Sequence, residues 1–87
     1  MQGLTLFYQE GCPHCKLAQQ SLAELQEENP AYKQIPIERI EESQHPEIAE
    51  KWDYYYVPTF FMGKEKLMEG HMEKADVKQV LDRALAG

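Results

Sequence analysis

The sequence predicts an α/β fold, a four-stranded mixed sheet with helices on both faces, in the order β-α-β-α-β-β-α. Three observations carry that expectation. The short apolar run Leu4–Tyr8 leads through Gln9-Glu10-Gly11 into a long stretch of helical periodicity. Two later runs are separated only by Gly63-Lys64, the mark of a hairpin. The chain then finishes on an amphipathic pattern at Val77, Val80, Leu81, Ala84 and Leu85.

Taken in order, Leu4–Tyr8 reads as a buried strand. Pro13 suits the first turn of a helix, where its missing N–H costs nothing. Cys15, Ala18, Leu22 and Leu25 recur at helical spacing, which predicts a helix from Pro13 to Glu28 with Asn29-Pro30 as its stop. Ile35, Ile37 and Ile40 predict a second strand, which Pro36 places toward an edge. Pro46 to Trp52 reads as a short helix with Ile48, Ala49 and Trp52 on one face. Val57–Met62 and Glu65–Glu69 are the third and fourth strands. The first helix supplies the long crossover that parallel strands require, and the last two strands form a hairpin.

With 87 residues, one domain over 1–87 is expected. Such a domain buries a modest core. Its two cysteines lie three positions apart, and a loop so short removes little entropy from the unfolded chain. Their value therefore lies in chemistry. The start of the chain has no basic region and only a short apolar run, and no stretch approaches a membrane span of roughly 20 apolar residues. A cytoplasmic location and no membrane partner are the expectations. In a reducing compartment a close cysteine pair is catalytic or metal-binding more often than structural. Nine basic against fifteen acidic residues give a formal net charge of −6, which opposes nucleic-acid binding. A monomer is expected.

The chemical centre is Gly11-Cys12-Pro13-His14-Cys15. Cys12 falls where a helix begins, among unpaired N–H groups and the positive end of the helix dipole. Both favour a thiolate. A protonated His14 would favour it further, and Pro13 fixes the turn while removing one competing donor. A depressed Cys12 pKa is expected, with the thiolate as the reactive form. The other reading of His14 is a solvated residue that tunes nothing. Cys15 lies one helical turn on, within disulfide range, and belongs to the apolar stripe. It should be more buried and less readily ionised. That asymmetry makes Cys12 the nucleophile and Cys15 the resolving thiol of a redox-active disulfide. A metal site would need two more ligands. His45 and His71 do not form a second ligand pair, so no metal is expected.

Val57-Pro58-Thr59 is the second feature. Proline is normally excluded from a strand interior. A cis peptide would explain Pro58 and would leave the Val57 backbone free to pair with an extended peptide. An ordinary trans proline at a strand start is the alternative.

These residues resemble the thioredoxin superfamily. The resemblance rests on Cys12-Pro13-His14-Cys15 after a strand, Val57-Pro58 before a later strand, and Gly70 opening the last connection. It covers nearly the whole chain, and in length it is nearest the glutaredoxins. It implies the same roles for Cys12 and Cys15, a cis Pro58 beside the thiols, and Gly70 on the rim facing them. There are departures. Glutathione-using glutaredoxins commonly carry Lys or Arg where this chain has Gln9, and a Gly-Gly pair where it has Gly70-His71. The groups that would hold glutathione carboxylates are thus partly missing. Thioredoxins usually have Gly-Pro between the cysteines and a buried acid on the first strand, about where Leu6 stands here. The proton acceptor for Cys15 is left among Glu10, His14 and water. The Pro-His dipeptide resembles that of periplasmic disulfide oxidases.

The expected function is a dithiol–disulfide oxidoreductase acting on protein or small-molecule disulfides. It needs no cofactor, though glutathione is a possible co-substrate, and takes electrons from a separate reductase or thiol donor. Val57, Pro58, Thr59, Gly70 and Tyr8 are the expected substrate-facing residues. Two alternatives stand beside it: a glutathione-dependent glutaredoxin, and a redox-sensing or metal-binding module that uses both thiols. The aromatic run Trp52 to Tyr56 reads mainly as packing, and the acidic run Glu38 to Glu42 as a solvated face.

Overall fold

Each apolar run becomes a strand and each periodic run a helix. The computed structural model describes residues Met1–Gly87. Its elements are β1 (Leu4–Tyr8), α1 (Pro13–Glu28), α2 (Pro30–Lys33), β2 (Ile37–Glu41), α3 (Pro46–Ala49), β3 (Thr59–Met62), β4 (Glu65–Glu69) and α4 (Lys74–Ala86). The four strands form one sheet in the order β2-β1-β3-β4. β1 pairs parallel with β2 and antiparallel with β3, and β3 pairs antiparallel with β4. This is the expected mixed sheet, with β2 on an edge and Pro36 just before it.

Strand alternation sorts the core into two layers. Leu4 and Leu6 of β1 and Phe60 and Met62 of β3 face one side. There they meet Ala18, Leu22 and Leu25 of α1 and Val77, Val80, Leu81 and Ala84 of α4. Phe7, Ile40 and Phe61 face the other side, under Ile48, Ala49, Trp52 and Tyr54. Phe7 stacks on Tyr54 with centroids 4.7 Å apart, and Trp52 meets Phe61 at 4.8 Å. Trp52 and Tyr54 are therefore packing residues. Tyr55 and Tyr56 are not, being 83% and 71% exposed.

The observed elements depart from the sequence expectation in four places. Asn29 ends α1 through its N–H to the Leu25 carbonyl, and its side chain caps the Ala31 N–H at 3.1 Å. The stop signal is also a start signal, and α2 follows at once. α3 is one turn long and ends at Ala49, short of Trp52. β3 begins at Thr59 rather than Val57. β2 begins at Ile37, so Ile35 is not part of the strand; it is buried in the bend after α2, where its N–H donates to the Tyr32 carbonyl at 3.3 Å.

Leu22 is fully buried between α1 and the sheet. Leu22→Ala should lower unfolding stability in urea by about 3 kcal/mol. A loss well under about 1 kcal/mol would contradict this packing.

Candidate active site

The site forms where the central strand gives way to the long helix. β1 is held on both sides, so its last residue, Tyr8, is fixed. Three residues then reverse the chain. Gly11 takes φ +83°, a conformation that side chains disfavour. The Cys12 N–H closes the turn on the Gln9 carbonyl at 3.3 Å. Cys12 is the N-cap of α1, Pro13 its first residue, and the Cys12 carbonyl accepts the Lys16 N–H at 3.0 Å. Cys12 is half-buried and Cys15 is 1% exposed, and both thiols are free.

The two thiols differ as their positions dictate. Burial is the largest influence on Cys12 and pushes it up, as does the charge of Glu42. The Cys15 N–H, the Cys15 thiol and the His14 N–H outweigh both, and the Cys12 thiol ends below its ordinary value. Cys15 is pushed up to about 12, chiefly by burial. The Gln9 N–H opposes that shift, while Cys12 and Glu42 add to it.

Gly70 and His71 bring a second segment to the motif. Val57-Pro58 is a cis peptide, and the Pro58 carbonyl accepts the Gly70 N–H at 2.8 Å. Gly70 takes φ +87°, and the turn it makes carries His71 to His14. Their Nδ1 atoms are 2.9 Å apart, and His71 Nε2 lies 2.6 Å from Glu73 Oε2. One ring must donate and the other accept, so both cannot be doubly protonated in this contact. The His14 ring is engaged with His71, and His14 favours the Cys12 thiolate through its backbone N–H. This contact is invisible to sequence pattern, since His14 and His71 lie 57 positions apart.

The remaining named residues fall around this rim. Tyr8 shares a cleft of about 690 Å³ with Cys12, lined also by Gln9, Glu10, Lys16 and Gln19. Val57 is half-buried against the smaller core layer. Thr59 is a correction. It is fully buried and its hydroxyl donates to the Tyr56 carbonyl, so its side chain does not face a substrate. It holds the segment before Pro58 from beneath. Glu69 holds that segment from the side. Its carboxylate accepts the Tyr55 and Tyr56 N–H groups at 2.5 and 2.8 Å and pairs with Lys66 at 2.8 Å. Lys66 first, then these two N–H groups, pull Glu69 down to about 2.

The acidic run after Arg39 is a second correction. Glu41 is 6% exposed. Its carboxylate accepts the Ser43 N–H and hydroxyl, both at 2.6 Å, and the Glu10 N–H at 3.1 Å. Glu42 is half-buried and accepts the Tyr54 hydroxyl at 2.8 Å. Only Glu38 and Arg39 of this stretch stand in solvent.

A dithiol at a helix start, on a mixed sheet with helices on both faces, defines the class: a thiol–disulfide oxidoreductase. The chain belongs to the thioredoxin family, whose family model, described as Thioredoxin, matches residues 2–86. No curated protein matches it. Among solved structures it is similar to chloroplastic thioredoxin z, at TM-score 0.74 and 20% identity, covering 100% of this chain and 80% of that one. It is also similar to oxidised thioredoxin from Plasmodium falciparum, at 0.69 and 18%, covering 92% and 77%. The germline-specific thioredoxin Deadhead from Drosophila melanogaster matches at 0.67 and 14%, covering 92% and 77%. At these identities the likeness speaks for the fold.

Two predictions follow from the electrostatics. Thiolate absorbance against pH should place Cys12 below the free-cysteine value of about 8.5. His14→Ala should leave it low, because the backbone N–H remains. A return to the free value in that variant would mean that the imidazole is required. The second concerns Glu69, whose folded pKa lies below its unfolded one. Its stabilisation is present above the unfolded value, near pH 4.3, and is lost as pH falls toward the folded value. Glu69→Gln should flatten stability over that acid window in urea titrations. An unchanged slope there would count against the Glu69 hub.

Proposed function

We propose that this protein reduces disulfides in polypeptide substrates by a dithiol mechanism. The observation that carries the reading is the placement of two free thiols one helical turn apart, Cys12 half-buried at the N-cap of α1 and Cys15 buried at 1% exposure. Cys12 thiolate attacks a substrate disulfide, forms a mixed disulfide and releases one substrate thiolate. Cys15 loses its proton and attacks the Cys12 sulfur. The second substrate thiolate leaves, and the Cys12–Cys15 disulfide remains. A separate reductase or thiol donor returns the pair to the dithiol. The cis Val57-Pro58 rim would pair with an extended substrate backbone. A reducing compartment such as the cytoplasm suits a protein whose only two cysteines are this pair.

Polypeptide disulfides are favoured over glutathione mixed disulfides for a structural reason. Gln9 supplies no cation, and Lys74 is committed to Glu24 and Glu28 at 3.2 and 2.5 Å. Lys16 is the one cation in the Cys12 cleft. That single group gives the glutathione reading its footing, and the assay separates the two.

Wild type should reduce insulin disulfides in the presence of a thiol donor, and Cys12→Ser should be inactive. Cys15→Ser should accumulate a covalent mixed disulfide with the substrate. Equal activity of wild type and Cys12→Ser would end the redox reading. Full turnover of a glutathione mixed disulfide by Cys15→Ser would move the protein to glutathione chemistry.

A further inference from the structure

Two approaches to Cys12 lie on opposite sides of β1. The cis Val57-Pro58 peptide precedes β3, and Gly70 follows β4 and is bonded to Pro58. Both belong to the β3 side of the sheet order β2-β1-β3-β4. The cleft of about 690 Å³ beside Cys12 contains no residue of that rim. Its lining runs from Tyr8 to Pro13 and is completed by Lys16 and Gln19 of α1. Cys12, Lys16 and Gln19 follow one another at helical spacing, along one face of α1. Arg39 of β2 donates to the Gln19 side-chain oxygen at 3.3 Å, which sets this face on the β2 side.

The cleft has a chemical character that backbone pairing at the rim does not need. Lys16 supplies one cation and Glu10 one anion, and both are exposed. Neither side chain joins any of the protein's ion pairs. The Glu10 N–H donates to the Glu41 carboxylate at 3.1 Å, so Glu10 is anchored through its backbone while its own carboxylate is free. Arg39 takes the Gln19 side-chain oxygen, which leaves the Gln19 N–H groups to donate. Gln9 adds an exposed carboxamide. The volume falls within the range of small-molecule sites, roughly 300–1,000 Å³. One cation, one anion and two carboxamides around a sulfur nucleophile complement a ligand that joins a carboxylate, an ammonium and a sulfur. A dianion would meet Glu10, and a dication would meet Lys16.

We infer that this cleft is a second substrate site, which binds small zwitterionic disulfides of the cystine type. The inference rests on the dithiol reading above. Lys16 pairs with the ligand carboxylate, Glu10 pairs with its ammonium, and the Gln19 N–H groups add a hydrogen bond to the carboxylate. Held in this way, the ligand sulfur is brought to Cys12 in the same cleft. Cys12 thiolate attacks one ligand sulfur, the ligand S–S bond breaks, and one half leaves as a thiolate. Cys15 then attacks Cys12 Sγ, and the second half leaves with the electrons of its bond to Cys12. The proton of Cys15 passes to a departing thiolate or to solvent. One disulfide is reduced to two aminothiols, and the Cys12–Cys15 pair is oxidised. The two sites reach the same sulfur from opposite sides, so cystine and a polypeptide disulfide compete for it.

The test compares cystine with cystamine, which lacks the carboxylates, and with dithiodipropionate, which lacks the ammonium groups. Each is mixed with the reduced protein, and the rate constant is read from the loss of free thiols. Dividing by the rate of the same disulfide with dithiothreitol removes differences in intrinsic reactivity. Wild type should then prefer cystine over both analogues. Lys16→Met should lower the cystine-to-cystamine ratio roughly fivefold, the scale of one exposed ion pair. Glu10→Gln should lower the cystine-to-dithiodipropionate ratio by a similar factor. Ratios within one variant are insensitive to any change in the reactivity of Cys12 itself. Unchanged ratios in both variants overturn the proposal. So does a wild type that is oxidised by a peptide disulfide yet shows no preference among the three small ones. If neither cystine nor a peptide disulfide oxidises the wild type, the dithiol reading fails instead.

Discussion

The apolar stripe of α1 must be buried against β1, and the chemistry of the site follows from that requirement. Ala18, Leu22 and Leu25 fix the rotation of the helix, and Cys15 lies on the same stripe at 1% exposure. Helical geometry then leaves little freedom for the residue three positions earlier. Cys12 emerges at the first turn, where N–H groups are unpaired. The asymmetry between the thiols is thus a by-product of core packing. A mutation that rotates α1 would alter both thiols together. Glu41 reinforces the arrangement by tying Glu10, in the loop before Cys12, to the end of β2.

Net charge and local charge act in opposite directions here. A chain of net charge −6 should disfavour another anion, and Glu42 does push both thiols up. Cys12 is lowered nevertheless, because the helix-start N–H groups lie against the sulfur and act at contact range. More distant carboxylates act across water and are screened. The cations are largely committed elsewhere. Lys66 serves Glu69, Lys74 joins α4 to α1 through Glu24 and Glu28, and Lys78 pairs with Asp82. The thiolate is stabilised by backbone dipoles rather than by a basic side chain.

What the sequence made legible was whatever depends on local pattern. The bounds of α1 follow from Pro13 and the stripe, and β4 follows from the Gly63-Lys64 turn. Pro58 was legible because proline in a strand-like run demands a reason. The misses share a physical cause, namely that their signal lies in a tertiary contact. Glu41 and Glu42 look like a solvated run until β2 is laid against β1, which brings N–H and hydroxyl donors to them. His71 acquires a role only when Gly70 turns the chain toward α1. Thr59 alternates with Phe60 and Phe61 in a strand that is buried on both faces, so it is covered despite its polarity. α2 was hidden because Asn29 serves two helices at once.

The His14–His71 contact bears on what favours the Cys12 thiolate. The dipeptide between the cysteines resembles that of periplasmic disulfide oxidases. A disulfide oxidises strongly when its reduced form is stabilised, above all by a favourable environment for the nucleophilic thiolate. An imidazolium beside Cys12 would supply such an environment. In this chain the His14 ring is bound to His71, which is in turn bound to Glu73. The influence of His14 on Cys12 reduces to one N–H group, which any residue other than proline would provide at that position. The Cys12 thiolate is thus favoured by the Cys15 and His14 N–H groups together with the Cys15 thiol, all of them supplied by the first turn of α1.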